Sequence, residues 1–156
     1  MKPLGKAEKA KPEGDRTKKL VLYVEDERLN REVAELRLGK KYDIICAKND
    51  REACQLIRKH AHEIAIILMD IELQDSILNG VQLTRLLRGK PVDVPLPDYA
   101  QDLPVLRSPA IFVTAYGDQY KPEDLSAAGA DKTIPKPVDF VELEMAMTRI
   151  HLERMK

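Results

Sequence analysis

Residues 64–70 read Ile-Ala-Ile-Ile-Leu-Met-Asp, and this stretch combines the most apolar run of the chain with an acid directly behind it. Six consecutive apolar residues have the length of a strand, and the lack of polar alternation is typical of a strand covered on both faces. Parallel sheets contain such strands because helices pack on both sides of them. The stretch therefore predicts the central strand of a layered α/β domain.

Apolar runs of strand length alternate with segments of helical periodicity on both sides of this strand. The other predicted strands cover residues 20–24, 42–47, 110–114 and 132–134. The predicted helices cover residues 27–38, 80–88 and 122–129, a segment after a cap at Asn49 or Asp50, and a final segment from Phe140 onward. Leu29, Val33 and Leu36 recur at helical spacing and predict the inward face of the first helix. Five strands alternating with helices imply a parallel sheet with right-handed crossovers, which is a doubly wound α/β sandwich.

The composition is that of a soluble globular protein. Hydrophobic residues make up 44% and charged residues 33% of the 156 residues, and 26 basic residues balance 26 acidic ones. With no net charge, the chain as a whole has no electrostatic attraction to nucleic acid or to an acidic membrane. The apolar runs are too short to span a bilayer, and no secretory signal is expected. Cys46 and Cys54 are too few for a disulfide framework and favour a cytoplasmic location.

The chain divides into an arm and a domain. Residues 1–18 are rich in Lys, Glu, Pro and Gly with almost nothing to bury, so they predict a disordered basic arm. Residues 19–156 predict one domain. Within it, residues 89–109 contain five prolines and predict an inserted, irregular surface loop.

Polar side chains follow four of the five predicted strands. Glu25 and Asp26 follow the first strand, Asp70 follows the third, Thr114 ends the fourth and Lys136 follows the fifth. A doubly wound sheet places its ligand site at the carboxyl ends of its strands. The sequence therefore predicts that these side chains lie around one crevice.

The three carboxylates in this crevice predict a cation site. Crowded acids repel one another, and a hard divalent ion such as Mg²⁺ with its preference for oxygen ligands relieves that repulsion. One carboxylate can then act as a nucleophile on phosphorus and form an aspartyl phosphate. The transferred group needs positive or hydrogen-bonding partners, for which Lys136 and the Thr114 hydroxyl are the candidates.

Four stretches together resemble the receiver domain of two-component response regulators. They are residues 21–27, 67–71, 113–116 and 128–131, the last followed by Pro135-Lys136-Pro137. They occur in the family's order, and the resemblance covers residues 20–155. It implies the flavodoxin-like receiver fold, with five parallel strands and five helices.

The resemblance also implies a role for each matched position. Asp70 is the expected phospho-acceptor, hydrogen bonded through its phosphoryl group to Thr114 and paired with Lys136. Mg²⁺ is expected on Glu25, Asp26 and Asp70, directly or through water, and on the backbone carbonyl of Glu72. The Lys136–Pro137 peptide is expected to be cis.

The family's biology defines the expected partners. The phosphoryl donor would be the phosphohistidine of a sensor histidine kinase or a phosphotransfer protein, and the chain would be a switch rather than a turnover enzyme. We read it as a stand-alone receiver that signals through a partner protein, without binding a membrane or DNA itself. The resemblance also allows a homodimer through residues 111–155.

Some features leave other functions open. Thr133 occupies a position where the family usually has an aromatic residue, and Tyr116 and Tyr120 are the candidates to replace that ring. This departure and the long insertion favour an alternative, a phosphorylation-independent interaction module on the same fold, whereas the intact acidic cluster argues against it. An aspartyl phosphatase using Asp70 and Glu72 is a weaker alternative. A flavin-binding protein of this architecture is disfavoured because acids, rather than a phosphate-binding loop, follow the first strand.

Overall fold

The computed structural model of the protein describes residues 18–154 and contains one five-stranded parallel sheet. The strands are β1 (Lys19–Val24), β2 (Tyr42–Ala47), β3 (Ile64–Met69), β4 (Ala110–Thr114) and β5 (Lys132–Pro135). Their order in the sheet is β2-β1-β3-β4-β5, so the apolar strand β3 lies at the centre. The predicted doubly wound fold is confirmed.

Five helices connect or follow the strands. They are α1 (Arg28–Leu38), α2 (Asp50–His60), α3 (Gly80–Leu87), α4 (Pro122–Ala128) and α5 (Phe140–Arg154). The Asn49 side chain caps α2 by accepting a hydrogen bond from the backbone N–H of Glu52 at 2.9 Å. Gly129 ends α4 in a left-handed conformation at φ 114°, which glycine adopts at little cost.

The core lies in two layers, one on each face of the sheet. Along β1, Leu20, Leu22 and Val24 pack on the layer that contains α2, α3 and α4. Val21 and Tyr23 point to the other layer, which contains α1 and α5. This alternation follows from the period of two in a strand.

The predicted inward face of α1 is wrong for two of its three residues, whereas Val33 is half-buried. Leu29 and Leu36 are 69% and 75% exposed, whereas Ala34 and Leu38 are fully buried. Ala34 and Leu38 are four residues apart and share one side of the helix, and Leu36 lies two residues from each, on the opposite side. The spacing of the leucines predicted a helix correctly but assigned its buried side to the wrong residues.

The segment between α3 and β4 (residues 88–109, hereafter the α3–β4 segment) packs against the domain. It contains a 3-10 helix at Asp98–Ala100. Ala100 and Leu106 are buried, and the backbone N–H of Leu106 donates to the carbonyl of Leu87 at 2.8 Å. The backbone of the segment is irregular, as predicted. The segment nevertheless packs against the domain, because apolar residues between its prolines are buried.

The predicted basic arm lies outside the described residues, except for Lys18. The ammonium of Lys18 donates to the carbonyl of Gly39 at 2.8 Å, just before β1 begins. Among residues 18–154, none of the helices has the length and apolar composition needed to cross a bilayer.

Candidate functional site

Three carboxylates meet at the carboxyl end of the sheet. Val24 of β1 pairs with Met69 of β3, so the next residues, Glu25 and Asp70, leave neighbouring strands side by side. The backbone N–H of Asp70 donates to the carbonyl of Val24 at 2.9 Å and extends this pairing. One carboxylate oxygen from each of Glu25, Asp26 and Asp70 lies within 4.8 Å of the others. The structure thus brings together the three acids singled out from the sequence.

Lys136 faces two of these acids. Its Nζ lies 2.7 Å from Oε1 of Glu25 and 2.9 Å from Oδ2 of Asp70. The backbone N–H of Lys136 donates to the carbonyl of Thr114 at 2.9 Å, which ties its position to the end of β4. The Lys136–Pro137 peptide is cis, as the resemblance implied.

The site has an excess of negative charge. The pKa of Asp70 is raised to about 7, because burial and the charges of Glu25 and Asp26 together outweigh the lowering by the hydrogen bond and the charge of Lys136. Burial lowers the pKa of Lys136, but its hydrogen bonds to Glu25 and Asp70 outweigh this effect and leave the pKa raised. The single ammonium of Lys136 does not balance the charge of three carboxylates, so a further cation would be stabilised at this site. An all-oxygen donor set of this kind fits Mg²⁺.

Glu25 is held by a residue that the sequence analysis did not single out. Tyr23 lies two residues earlier in β1 and on the same side, and its hydroxyl donates to Oε1 of Glu25 at 3.1 Å. The backbone N–H of Glu27 donates to Oε2 at 3.0 Å. A tyrosine within an otherwise aliphatic strand was the available signal, because a buried hydroxyl needs a partner.

The loop that follows Asp70 (residues 70–79, hereafter the β3–α3 loop) forms one wall of the cleft. A cleft of about 360 Å³ is lined by Asp26, Asp70, Glu72 and Lys136 together with neighbouring residues. The backbone N–H of Gln74 donates to Oδ2 of Asp26 at 2.9 Å, which joins the loop to the acids after β1. Glu72 therefore lies at the cleft, while its side chain contacts the hydroxyl of Tyr120.

Thr114 is buried at the end of β4. Its Oγ1 accepts a hydrogen bond from the backbone N–H of Tyr116 at 3.0 Å. Thr114 and Thr133 line a hollow of about 650 Å³ beside the cleft, on the side of α4. Of the two tyrosines considered as replacements for the missing ring, Tyr120 lines this hollow, whereas Tyr116 lines the cleft and is 44% exposed.

Gly80 brings the start of α3 into contact with the backbone of the acceptor. A Cβ at this residue would lie 2.0 Å from the carbonyl oxygen of Asp70 and 2.8 Å from Cα of Ile71. We expect Gly80→Ala to lower the free energy of unfolding by about 2–3 kcal/mol, because two backbones must separate. Urea denaturation measures this loss.

Gly117→Ala is the matched control for this substitution. Its Cβ would lie 3.5 Å from Cγ2 of Thr114, an ordinary van der Waals distance. We expect that control to change stability by less than about 0.5 kcal/mol. Equal losses in the two variants would contradict the close approach at Gly80.

Comparisons with known proteins agree with this geometry. A family model described as the response regulator receiver domain matches residues 21–148. The chain is 33% identical over 132 residues to the two-component response regulator PhoP of Pseudomonas aeruginosa, covering 83% of this chain and 50% of that protein. It is 30% identical over 165 residues to a probable histidine kinase of Oryza sativa subsp. indica, covering 92% of this chain and 16% of that protein. The chain thus spans about half, or less, of these curated relatives.

Solved structures add a likeness in three dimensions. The receiver domain of a sensor histidine kinase from Pseudomonas aeruginosa, with a magnesium ion coordinated in its active-site cleft, is 25% identical at a TM-score of 0.65. That match covers 85% of this chain and 97% of the other. A receiver domain from Clostridium thermocellum, 16% identical at a TM-score of 0.70 over 88% of this chain and 97% of the other, shares the fold. The chain belongs to the response regulator receiver domain family.

Proposed function

We propose that the chain accepts a phosphoryl group on Asp70 from the phosphohistidine of a sensor histidine kinase or a phosphotransfer protein, with Mg²⁺ bound. The observation that carries the proposal is the convergence of three carboxylates within 4.8 Å, with Lys136 2.9 Å from Asp70. A carboxylate beside a fixed cation can act as a nucleophile toward phosphorus. Phosphoryl transfer depends mainly on such positioning and charge.

The chemical step exchanges one phosphorus bond for another. An Asp70 oxygen forms the new P–O bond while the P–N bond of the donor breaks and its electron pair returns to the imidazole. Lys136 pairs with the negative charge that arrives, and the Thr114 hydroxyl donates to a phosphoryl oxygen. The carboxylates of Glu25, Asp26 and Asp70 and the carbonyl of Glu72 would hold Mg²⁺, which supplies positive charge against the phosphoryl oxygens.

We expect phosphorylation to signal by changing the surface that residues 111–155 present to a partner. Thr114 and Lys136 lie at the ends of β4 and β5, so a phosphoryl group held between them would bias the arrangement of residues 111–155. A partner protein, or a second copy of the chain, would read that surface in the cytoplasm. We expect the chain to catalyse only its own phosphorylation and dephosphorylation, without turnover of phosphate esters in solution.

Phosphoramidate or acetyl phosphate tests the proposal without the kinase. Incubation with Mg²⁺ is expected to add the mass of one phosphoryl group, which peptide mapping assigns to Asp70. Removing Mg²⁺ with EDTA should abolish the gain, and hydroxylamine should reverse it, because an acyl phosphate is labile to that nucleophile. No gain from either donor would refute the proposal and favour the phosphorylation-independent interaction module.

A further inference from the structure

A buried carboxylate outside the acidic cluster binds the β3–α3 loop. Asp50 is the first residue of α2 and is only 1% exposed. Its Oδ2 accepts hydrogen bonds from the backbone N–H groups of Ile77 at 3.1 Å and Leu78 at 3.0 Å. The same oxygen accepts a third hydrogen bond, at 2.6 Å, from the hydroxyl of Tyr99. One atom thus joins the helix, the loop and the α3–β4 segment.

The contact at Asp50 continues through the loop to the acids of the cleft. The backbone N–H of Asp50 donates to Oγ of Ser76 at 2.9 Å, and that hydroxyl donates to the carbonyl of Gln74 at 3.4 Å. The backbone N–H of Gln74 in turn donates to Oδ2 of Asp26 at 2.9 Å. The loop that carries Glu72 is therefore held by the Asp26 carboxylate at its middle and by the Asp50 carboxylate near the start of α3.

Tyr99 is placed on α2 by two arginines. Arg58 donates to the carbonyls of Tyr99 and Gln101, each at 2.7 Å. The guanidinium of Arg51 lies 4.7 Å from the centre of the Tyr99 ring, within cation–π range. Burial and then the hydrogen bond to Asp50 raise the pKa of the Tyr99 hydroxyl to about 12, so it keeps its proton and donates.

We propose that Asp50 and Tyr99 are positioning residues for phosphoryl transfer, and that the α3–β4 segment uses Tyr99 to fix the β3–α3 loop at the cleft. The inference rests on the proposed function, since the loop contributes the Glu72 carbonyl and contacts Asp26. Hydrogen bonds to a charged acceptor are stronger than neutral ones, and a buried carboxylate that loses a donor is poorly compensated. Loss of the Tyr99 hydroxyl should therefore loosen the loop while the ring stays on Arg51.

Tyr99→Phe in the full chain tests this role. Hydrogen exchange followed by NMR should show the amides of Ile77 and Leu78 exchanging about tenfold faster, because their shared acceptor is less firmly held. Calorimetry with Mg²⁺ should show its dissociation constant rising about fivefold, and the rate of phosphoryl uptake from phosphoramidate at fixed Mg²⁺ should fall by a similar factor.

Tyr42→Phe is the control. Tyr42 is half-buried on the opposite face of the sheet, so its loss of a hydroxyl should leave Mg²⁺ binding and loop exchange unchanged. Asp50→Ala provides a coupling test. If Tyr99 acts through Asp50, adding Tyr99→Phe to that variant should cause no further loss of Mg²⁺ affinity and no further rise in loop exchange. If Asp50→Ala does not fold, the comparison of Tyr99→Phe with Tyr42→Phe still decides.

The outcomes separate the two proposals. A wild-type chain that takes up phosphoryl groups, with Tyr99→Phe matching Tyr42→Phe in Mg²⁺ affinity and loop exchange, would overturn the positioning role alone. Additive effects of Asp50→Ala and Tyr99→Phe would overturn the route through Asp50. A wild-type chain that neither binds Mg²⁺ nor takes up phosphoryl groups would overturn the proposed function and the positioning role together. Faster loop exchange and weaker Mg²⁺ binding in Tyr99→Phe, with neither change in Tyr42→Phe, would support the positioning role.

Discussion

Asp70→Asn is expected to lower phosphoryl uptake from phosphoramidate by at least about a thousandfold, because an amide oxygen is a poor nucleophile toward phosphorus. The substitution keeps the size of the side chain and an oxygen that Lys136 can contact. It also removes one of three crowded charges, so the variant should fold at least as well as the wild type without Mg²⁺. Mass spectrometry of intact protein at matched times measures the uptake.

Asp75→Asn is a matched control for that variant. Asp75 lies in the same β3–α3 loop at φ 57°, a conformation that asparagine tolerates well. Wild-type uptake in Asp75→Asn together with none in Asp70→Asn would locate the acceptor. Phosphoryl uptake that persists in Asp70→Asn would mean that another side chain is the acceptor.

Lys136→Met is expected to lower the free energy of unfolding by about 3 kcal/mol at neutral pH without Mg²⁺, because removing one partner of a buried ion pair leaves uncompensated charge. The ammonium is mostly buried and contacts both Glu25 and Asp70. Adding Mg²⁺ should restore part of the loss, since a second cation then faces the same carboxylates. Urea denaturation with and without Mg²⁺ measures both effects.

The control and the double variant isolate the cause. Lys132→Met lies on β5 as well but is exposed, so its effect should stay within about 0.5 kcal/mol. Combining Lys136→Met with Asp70→Asn should recover stability, because one of the repelling acids is then neutral. A double variant no more stable than Lys136→Met alone would show that lost packing, and not charge, is responsible.

The fold was largely predictable because its signals are local. The apolar run at β3 predicted the centre of the sheet, and the alternation of runs with helical periods predicted the doubly wound topology. The site followed from topology, since Glu25, Asp26, Asp70 and Lys136 all lie just past strand ends. Predicting that these side chains converge required only the rule that parallel strands end at the same edge of the sheet.

What the sequence did not predict depends on contacts between distant residues. Asp50 was considered only as an alternative to Asn49 for the helix cap, yet its side chain accepts hydrogen bonds from Ile77, Leu78 and Tyr99, which lie far along the chain. The buried side of α1 was misassigned because leucines and alanines are both compatible with burial, and only packing against the sheet decides which side turns inward. Residue roles at the acidic cleft stay predictions until the variants above are measured.

The bare backbone of Gly80 has a mechanical consequence. The first residue of α3 touches the carbonyl of Asp70 with no side chain between them, and its N–H donates to Ile71 at 2.7 Å. A displacement of the Asp70 main chain would therefore move α3 directly, because no rotatable side chain lies between the two backbones. The Gly80 amide should be a sensitive NMR reporter of events at the acceptor, ahead of signals from α4.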